Sequence, residues 1–98
     1  MSVTTADRVR IYPGSREFLF WKVSGFPPDA TIEVSFDEGT TWYEMFLDGD
    51  TASVLVAHPY AADNPVNAVV VPLGRSTVLL RLISGPEVVP RFAGIIDV

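Results

Sequence analysis

The sequence predicts an all-β domain, and three observations predict it. Apolar or alternating runs recur about every ten residues, the gaps between them are rich in glycine, proline and aspartate, and no stretch carries the period of an amphipathic helix. Strands are expected near Arg8–Tyr12, Phe18–Ser24, Thr31–Phe36, Trp42–Leu47, Ala52–Ala57, Ala68–Val71, Ser76–Ile83 and Ala93–Val98.

Each strand has its own pattern and its own stop. The first ends at Pro13-Gly14, where proline presets one turn position and glycine frees the next. In the second, Leu19, Trp21 and Val23 alternate with Phe18, Phe20 and Lys22, and Gly25-Phe26-Pro27-Pro28-Asp29 ends the run. The third sets Ile32, Val34 and Phe36 against Thr31, Glu33, Ser35 and Asp37, the period of a half-buried strand. Trp42–Leu47 is partly aromatic on both faces and stops at Asp48-Gly49-Asp50. After Ala52–Ala57 comes the longest connection, His58 to Asn67, stiffened by Pro59 and Pro65; it reads equally as a crossover between sheets or as a functional loop. Leu73-Gly74-Arg75 and Ser84-Gly85-Pro86 bound Ser76–Ile83, and the closing strand, Ala93–Val98, is expected to pair within the domain. Seven or eight strands in 98 residues imply one domain, 1–98: a single antiparallel β-sandwich, immunoglobulin-like or similar, with Trp21 in the core between sheets.

Composition narrows the function. Nearly half the residues are apolar (48%) and 19% are charged, as in globular chains. A net charge of −5, with seven basic residues scattered along the chain, argues against nucleic-acid binding. No cysteine is present, which removes disulfides, thiolate metal sites and a cysteine nucleophile. The amino terminus lacks the basic and apolar segments of a signal peptide, and no apolar run approaches the ~20 residues that span a bilayer, so neither secretion by that route nor membrane insertion is expected.

Ser35-Phe36-Asp37-Glu38-Gly39-Thr40-Thr41-Trp42 fits S-x-D-x-G-x-T-W and resembles the Asp-box, a hairpin turn found in many sialidase-like β-propellers. Physically, Asp37 can accept hydrogen bonds from amides two or three residues on, Gly39 can take positive φ, and Trp42 would start the returning strand. Asp37, Gly39 and Trp42 are therefore read as structural turn residues. The motif occurs once, whereas a propeller needs several blades of roughly 40 residues, so sialidase activity does not carry over.

No catalytic constellation is visible. His58 is the one histidine and reads as a hydrogen-bonded structural residue; no second histidine completes a zinc site, and no serine has a G-x-S-x-G context. Asp48-Gly49-Asp50 reads as a turn, with calcium binding requiring help from Asp63 or Asn64. No enzyme activity, metal or cofactor is expected.

Alternation fails in an informative way. Phe18–Val23, Trp42–Leu47 and Val78–Ile83 are apolar on both faces, whereas a water-facing sheet should be polar outside. A protein partner is expected to cover them, with Phe18, Phe20, Tyr43, Tyr60, Leu79 and Ile83 as candidate interface residues. The competing use of the aromatics is a sugar-stacking platform: with Trp21 and Trp42 occupied structurally, Tyr43 and Tyr60 would carry glycan binding.

Over its whole length the chain is similar in style to small β-sandwich virion proteins of tailed actinobacteriophages, on Val34–Trp42 and on Arg81-Leu82-Ile83-Ser84-Gly85-Pro86-Glu87-Val88-Val89; six arginines against one lysine fit a GC-rich genome. That resemblance implies a capsid decoration or minor capsid protein, or else a tail or head–tail connector protein, placed in the virion after assembly in the host cytoplasm. Its partners would be a major capsid or tail protein and copies of itself.

Overall fold

Side-chain alternation sorts the strands into two layers. The computed structural model describes residues 2–3, 9–61 and 68–98. Its strands are β1 (Ser2–Val3), β2 (Val9–Arg10), β3 (Arg16–Ser24), β4 (Thr31–Ser35), β5 (Tyr43–Glu44), β6 (Phe46–Asp48), β7 (Thr51–Ala57), β8 (Val69–Val70), β9 (Arg75–Ser84) and β10 (Glu87–Asp97). The first sheet has the order β1-β3-β7-β6, with β8 also on β7; the second runs β2-β10-β9-β4-β5. This is the strand order of an immunoglobulin-type sandwich. Among the described residues there is no helix.

The core is the sum of the inward faces. Leu19, Trp21 and Val23 of β3 and Ala52, Val54 and Val56 of β7 meet Ile32 and Val34 of β4, Val78, Leu80 and Leu82 of β9, and Ile96 of β10. Each such side chain removed from water stabilises the fold by about 1.5–3 kcal/mol.

Several expectations are corrected. The run Trp42–Leu47 is not one strand: β5 pairs with β4 in the second sheet, β6 pairs with β7 in the first, and Met45 is the buried crossover between them. Its amide still donates to the Ile32 carbonyl at 2.9 Å. The described strands number ten rather than seven or eight, because this run divides and a short edge strand, β1, precedes the expected first one. Two pairings, β2 with β10 and β7 with β8, are parallel. The closing strand begins at Glu87, not Ala93, although it contains Pro90. Proline is tolerated there because, among the described strands, β2 pairs the outer side of β10 only at Ile96 and Asp97. Arg8, Asp63 and Asn64 lie outside the described residues, as does most of the long connection.

Turn chemistry follows the sequence. Ser15 donates to the Tyr12 carbonyl around Pro13-Gly14, with Gly14 at φ +82°, a type II turn. Gly49-Asp50 and Gly85-Pro86 are two-residue hairpin loops that put positive φ on the glycine, and proline at the second position makes Gly85-Pro86 type II′.

One irregularity ties the layers together. The β9–β10 register slips between Phe92 and Gly94, leaving Ala93 as the extra residue of a bulge. Before the bulge Val88, Pro90 and Phe92 face outward; after it Gly94 and Ile96 face the core. The Ala93 carbonyl accepts a hydrogen bond from Trp21 Nε1 at 3.0 Å, across the sandwich from β3. Trp21→Phe orphans that carbonyl and leaves a gap where the larger indole sat, so we expect a loss of about 3 kcal/mol or more, read as a lower urea midpoint with an unchanged m-value.

Candidate docking surface

The Asp-box residues form a closed network at the end of β4. The Gly39 amide donates to Ser35 Oγ at 2.8 Å, the Ser35 hydroxyl donates to Asp37 Oδ1 at 2.7 Å, and the Thr41 amide donates to the same oxygen at 2.8 Å. The hairpin is present, as β4 and β5 pair antiparallel. Its bonding differs in part from the expectation: the Asp37 carboxylate is held chiefly by the Thr41 amide, four residues on, with a smaller contribution from the Thr40 amide, three on, and Ser35 takes the one at Gly39. Gly39 adopts φ +91°, and Glu38 adopts φ +59°, a left-handed conformation costing roughly 1–2 kcal/mol that the pattern did not reveal. The strand resumes at Tyr43 rather than at Trp42.

Trp42 is part-buried and held structurally by two contacts. Its Nε1 donates to the Gly39 carbonyl at 2.9 Å, and the Arg81 guanidinium lies 4.3 Å from the ring centroid. Arg81 is itself fixed by Glu33 on the neighbouring strand, at 2.6 Å. A Cβ built on Gly39 would come within 3.8 Å of Leu79, so this turn lies against the outer face of the second sheet. Leu79 is accordingly only part-exposed; Ile83, opposite Thr31 at the other end of β4, is part-exposed as well.

The outer face of the first sheet is bare. Phe18 and Phe20 project from β3 with 58% and 62% of their surface in water, and Phe46 from β6 with 72%. Phe20 and Phe46 both register against Ser53, and Phe18 against Leu55, so the rings share one side; Phe18 and Phe20 are 6.2 Å apart. At roughly 200 Å² per ring, these residues leave on the order of 400 Å² of aromatic surface in water, a size at which a patch is commonly a binding site.

The predicted interface residues thus divide among several places. Phe18 and Phe20 lie together on the bare face, while Leu79 and Ile83 are on the opposite side of the sandwich. Tyr43, on β5, lines a shallow groove together with Phe18 and Phe46 at the margin of the bare face, whereas Tyr60 is 67% exposed beside His58, in a separate groove. A single surface containing all six is therefore excluded. Phe46 and Phe92 were missed: Phe46 because the two-sheet split of Trp42–Leu47 hides its direction, Phe92 because the bulge shifts the phase of β10. The Phe18/Phe20 alternation and the neighbouring Tyr43 were readable.

The remaining candidates are structural or shallow. His58 is buried, and its Nδ1 accepts the Tyr60 amide at 3.0 Å, as a structural histidine would. Asp50 turns to Lys22, at 3.3 Å. Among the described residues no group of three or more histidine, cysteine, aspartate or glutamate side chains is placed to hold a metal ion. An open groove of about 710 Å³ is lined by Arg10, Tyr12, Tyr60, Arg75 and Asp97, among others, and brings Tyr60 beside Tyr12 rather than Tyr43.

The Thr41 amide, followed by the Ser35 hydroxyl, holds the Asp37 carboxyl below its ordinary value of 3.8. A depressed folded-state value contributes stability above the unfolded value that is lost as pH falls through the folded one. Asp37→Asn should therefore be less stable than the parent by about 1 kcal/mol at pH 7, with the gap closing as pH drops below 3.8; Asp37→Ala should cost about 2 kcal/mol. Urea midpoints measured at pH 7 and pH 3 check both.

Against known proteins the chain has no match, whether to a family model, a curated protein or a solved structure.

Proposed function

We propose that the chain is a non-enzymatic structural domain that works by docking, as a virion component of a tailed phage, in the role of a capsid decoration or minor capsid protein. The observation that carries the docking reading is the bare face of Phe18, Phe20 and Phe46 on a domain whose core is already complete without it. The virion setting rests on the sequence resemblance; a tail or head–tail connector position differs only in where the same domain would sit.

The physical mechanism is burial. At about 25 cal/mol per Å², a contact of roughly 800 Å² per partner offers ample gross attraction before the costs of association. A net charge of −5 keeps free subunits apart in solution until that contact forms.

A specific observation also favours a second reading, glycan binding. In the open groove two exposed tyrosines, Tyr12 and Tyr60, accompany the Arg75–Asp97 ion pair, a combination of stacking surface and paired hydrogen-bonding groups that suits a sugar. Tyr60→Ala should abolish retention on host glycans if that reading holds and leave it unchanged otherwise.

The docking reading is tested by mixing purified protein with assembled shells or tails that lack it and sedimenting the particles. Saturable co-sedimentation is expected, reduced at least tenfold by Phe20→Asp/Phe46→Asp with the unfolding midpoint preserved. Absence of the protein from every sedimented particle would remove the virion assignment.

A further inference from the structure

The bare face carries information about what covers it. Its side chains fall into rows set by the β3–β7–β6 register: Lys22, Thr51 and Asp48 form one row, Phe20, Ser53 and Phe46 the next, then Phe18 and Leu55. Arg16 and Ala57 form the last row, with Val70 of β8 beside Ala57. Basic residues thus stand at both ends of the β3 side, and an acid stands on the β6 side opposite Lys22. Ser53 is buried although it faces outward, because Phe20 and Phe46 flank it.

We infer that the occupant of this face is a second copy of the chain, packed sheet on sheet about a two-fold axis parallel to β7. This deepens the docking reading given above, and rests on it, by making a copy of the chain the partner at this face, so that a shell or tail is met by the dimer through its other surfaces. Two identical sheets packed face to face are related by a two-fold axis lying between them. With the axis along β7, β3 of each copy lies over β6 of the other. Lys22 then meets Asp48 of the second copy twice, Phe20 meets Phe46 twice, and Ser53 and Leu55 meet their own equivalents at the centre. With the axis across the strands, β3 would lie over β3 of the second copy and Lys22 would meet no acid there, since Asp48 is on β6. The charge pattern selects the first arrangement.

Lys22 is available for this contact. Its 3.3 Å pair with Asp50 is exposed at both ends, 65% and 69%, and such pairs hold their partners weakly. Aromatic rings at the centre with charges at the rim follow the ordinary anatomy of an interface. The aromatic part of the face is only on the order of 400 Å² per copy, so the dimer is expected to be weak and to dissociate on dilution. The arrangement leaves the edge of the second sheet, with Val88 and Phe92 each 52% exposed, open to a larger partner.

Sedimentation equilibrium of the purified protein alone, over a concentration series, tests the inference. A monomer–dimer equilibrium is expected, weakened at least tenfold by Phe20→Asp/Phe46→Asp. Because the chain has no cysteine, orientation can be read separately: Lys22→Cys and Asp48→Cys proteins, mixed and treated with a short bismaleimide, should link to each other in preference to themselves. A strict monomer, a larger ring, or preferential Lys22→Cys self-linkage would overturn it. Particle binding by a strictly monomeric protein would sink the dimer and leave the virion reading standing, whereas a dimer that binds no particle would do the reverse.

Discussion

The bulge at Ala93 and the indole that answers it are the constraint on which the two-layer arrangement depends. A strand of eleven residues with unbroken alternation would keep Val88, Pro90, Phe92 and Gly94 on one side. The extra residue instead turns Gly94 and Ile96 inward while Phe92 remains outside. It also withdraws a carbonyl from the ladder inside the sandwich, where an unpaired polar group would be costly. Trp21 supplies the donor from the facing sheet, so a local defect in β10 becomes the hydrogen bond that sets the two layers in register.

From that register follow two unlike outer faces. The second sheet is partly roofed by the Asp-box turn, where Trp42, Arg81 and Glu33 form one stacked and ion-paired assembly and Gly39 lies beside Leu79. The first sheet has no such cover among the described residues, and its three phenylalanines are neither in the core nor masked by polar neighbours. A domain with one roofed face and one bare face is asymmetric in what it can bind. That asymmetry is the physical basis of the docking function proposed here.

Much of this was legible in the residues. Period-two alternation located β3, β4, β7 and the body of β9, and glycine with proline located the turns, because both signals come from local backbone sterics. The Asp-box pattern identified its hairpin for the same reason. What escaped was set by tertiary context: the switch at Met45, where one apolar run serves two sheets, and the phase change at Ala93. Pro90 hid the first half of β10, since its tolerance depends on an unpaired strand edge rather than on its neighbours in sequence. These are also the reasons Phe46, on the docking face, and Phe92, on the second sheet, went unnoticed; the docking face was readable in part, from Phe18, Phe20 and the neighbouring Tyr43.

The central claim is that the phenylalanines of the bare face are surplus to folding. Urea unfolding of the Phe18→Thr/Phe20→Thr/Phe46→Thr protein tests it most directly, since threonine suits an outward strand position. The account predicts cooperative unfolding at a cost below about 1 kcal/mol per site, against the 3–5 kcal/mol typical of emptying a core phenylalanine site. Loss of cooperative unfolding, or a cost of core size, would show that these rings hold the domain together and would contradict the docking assignment.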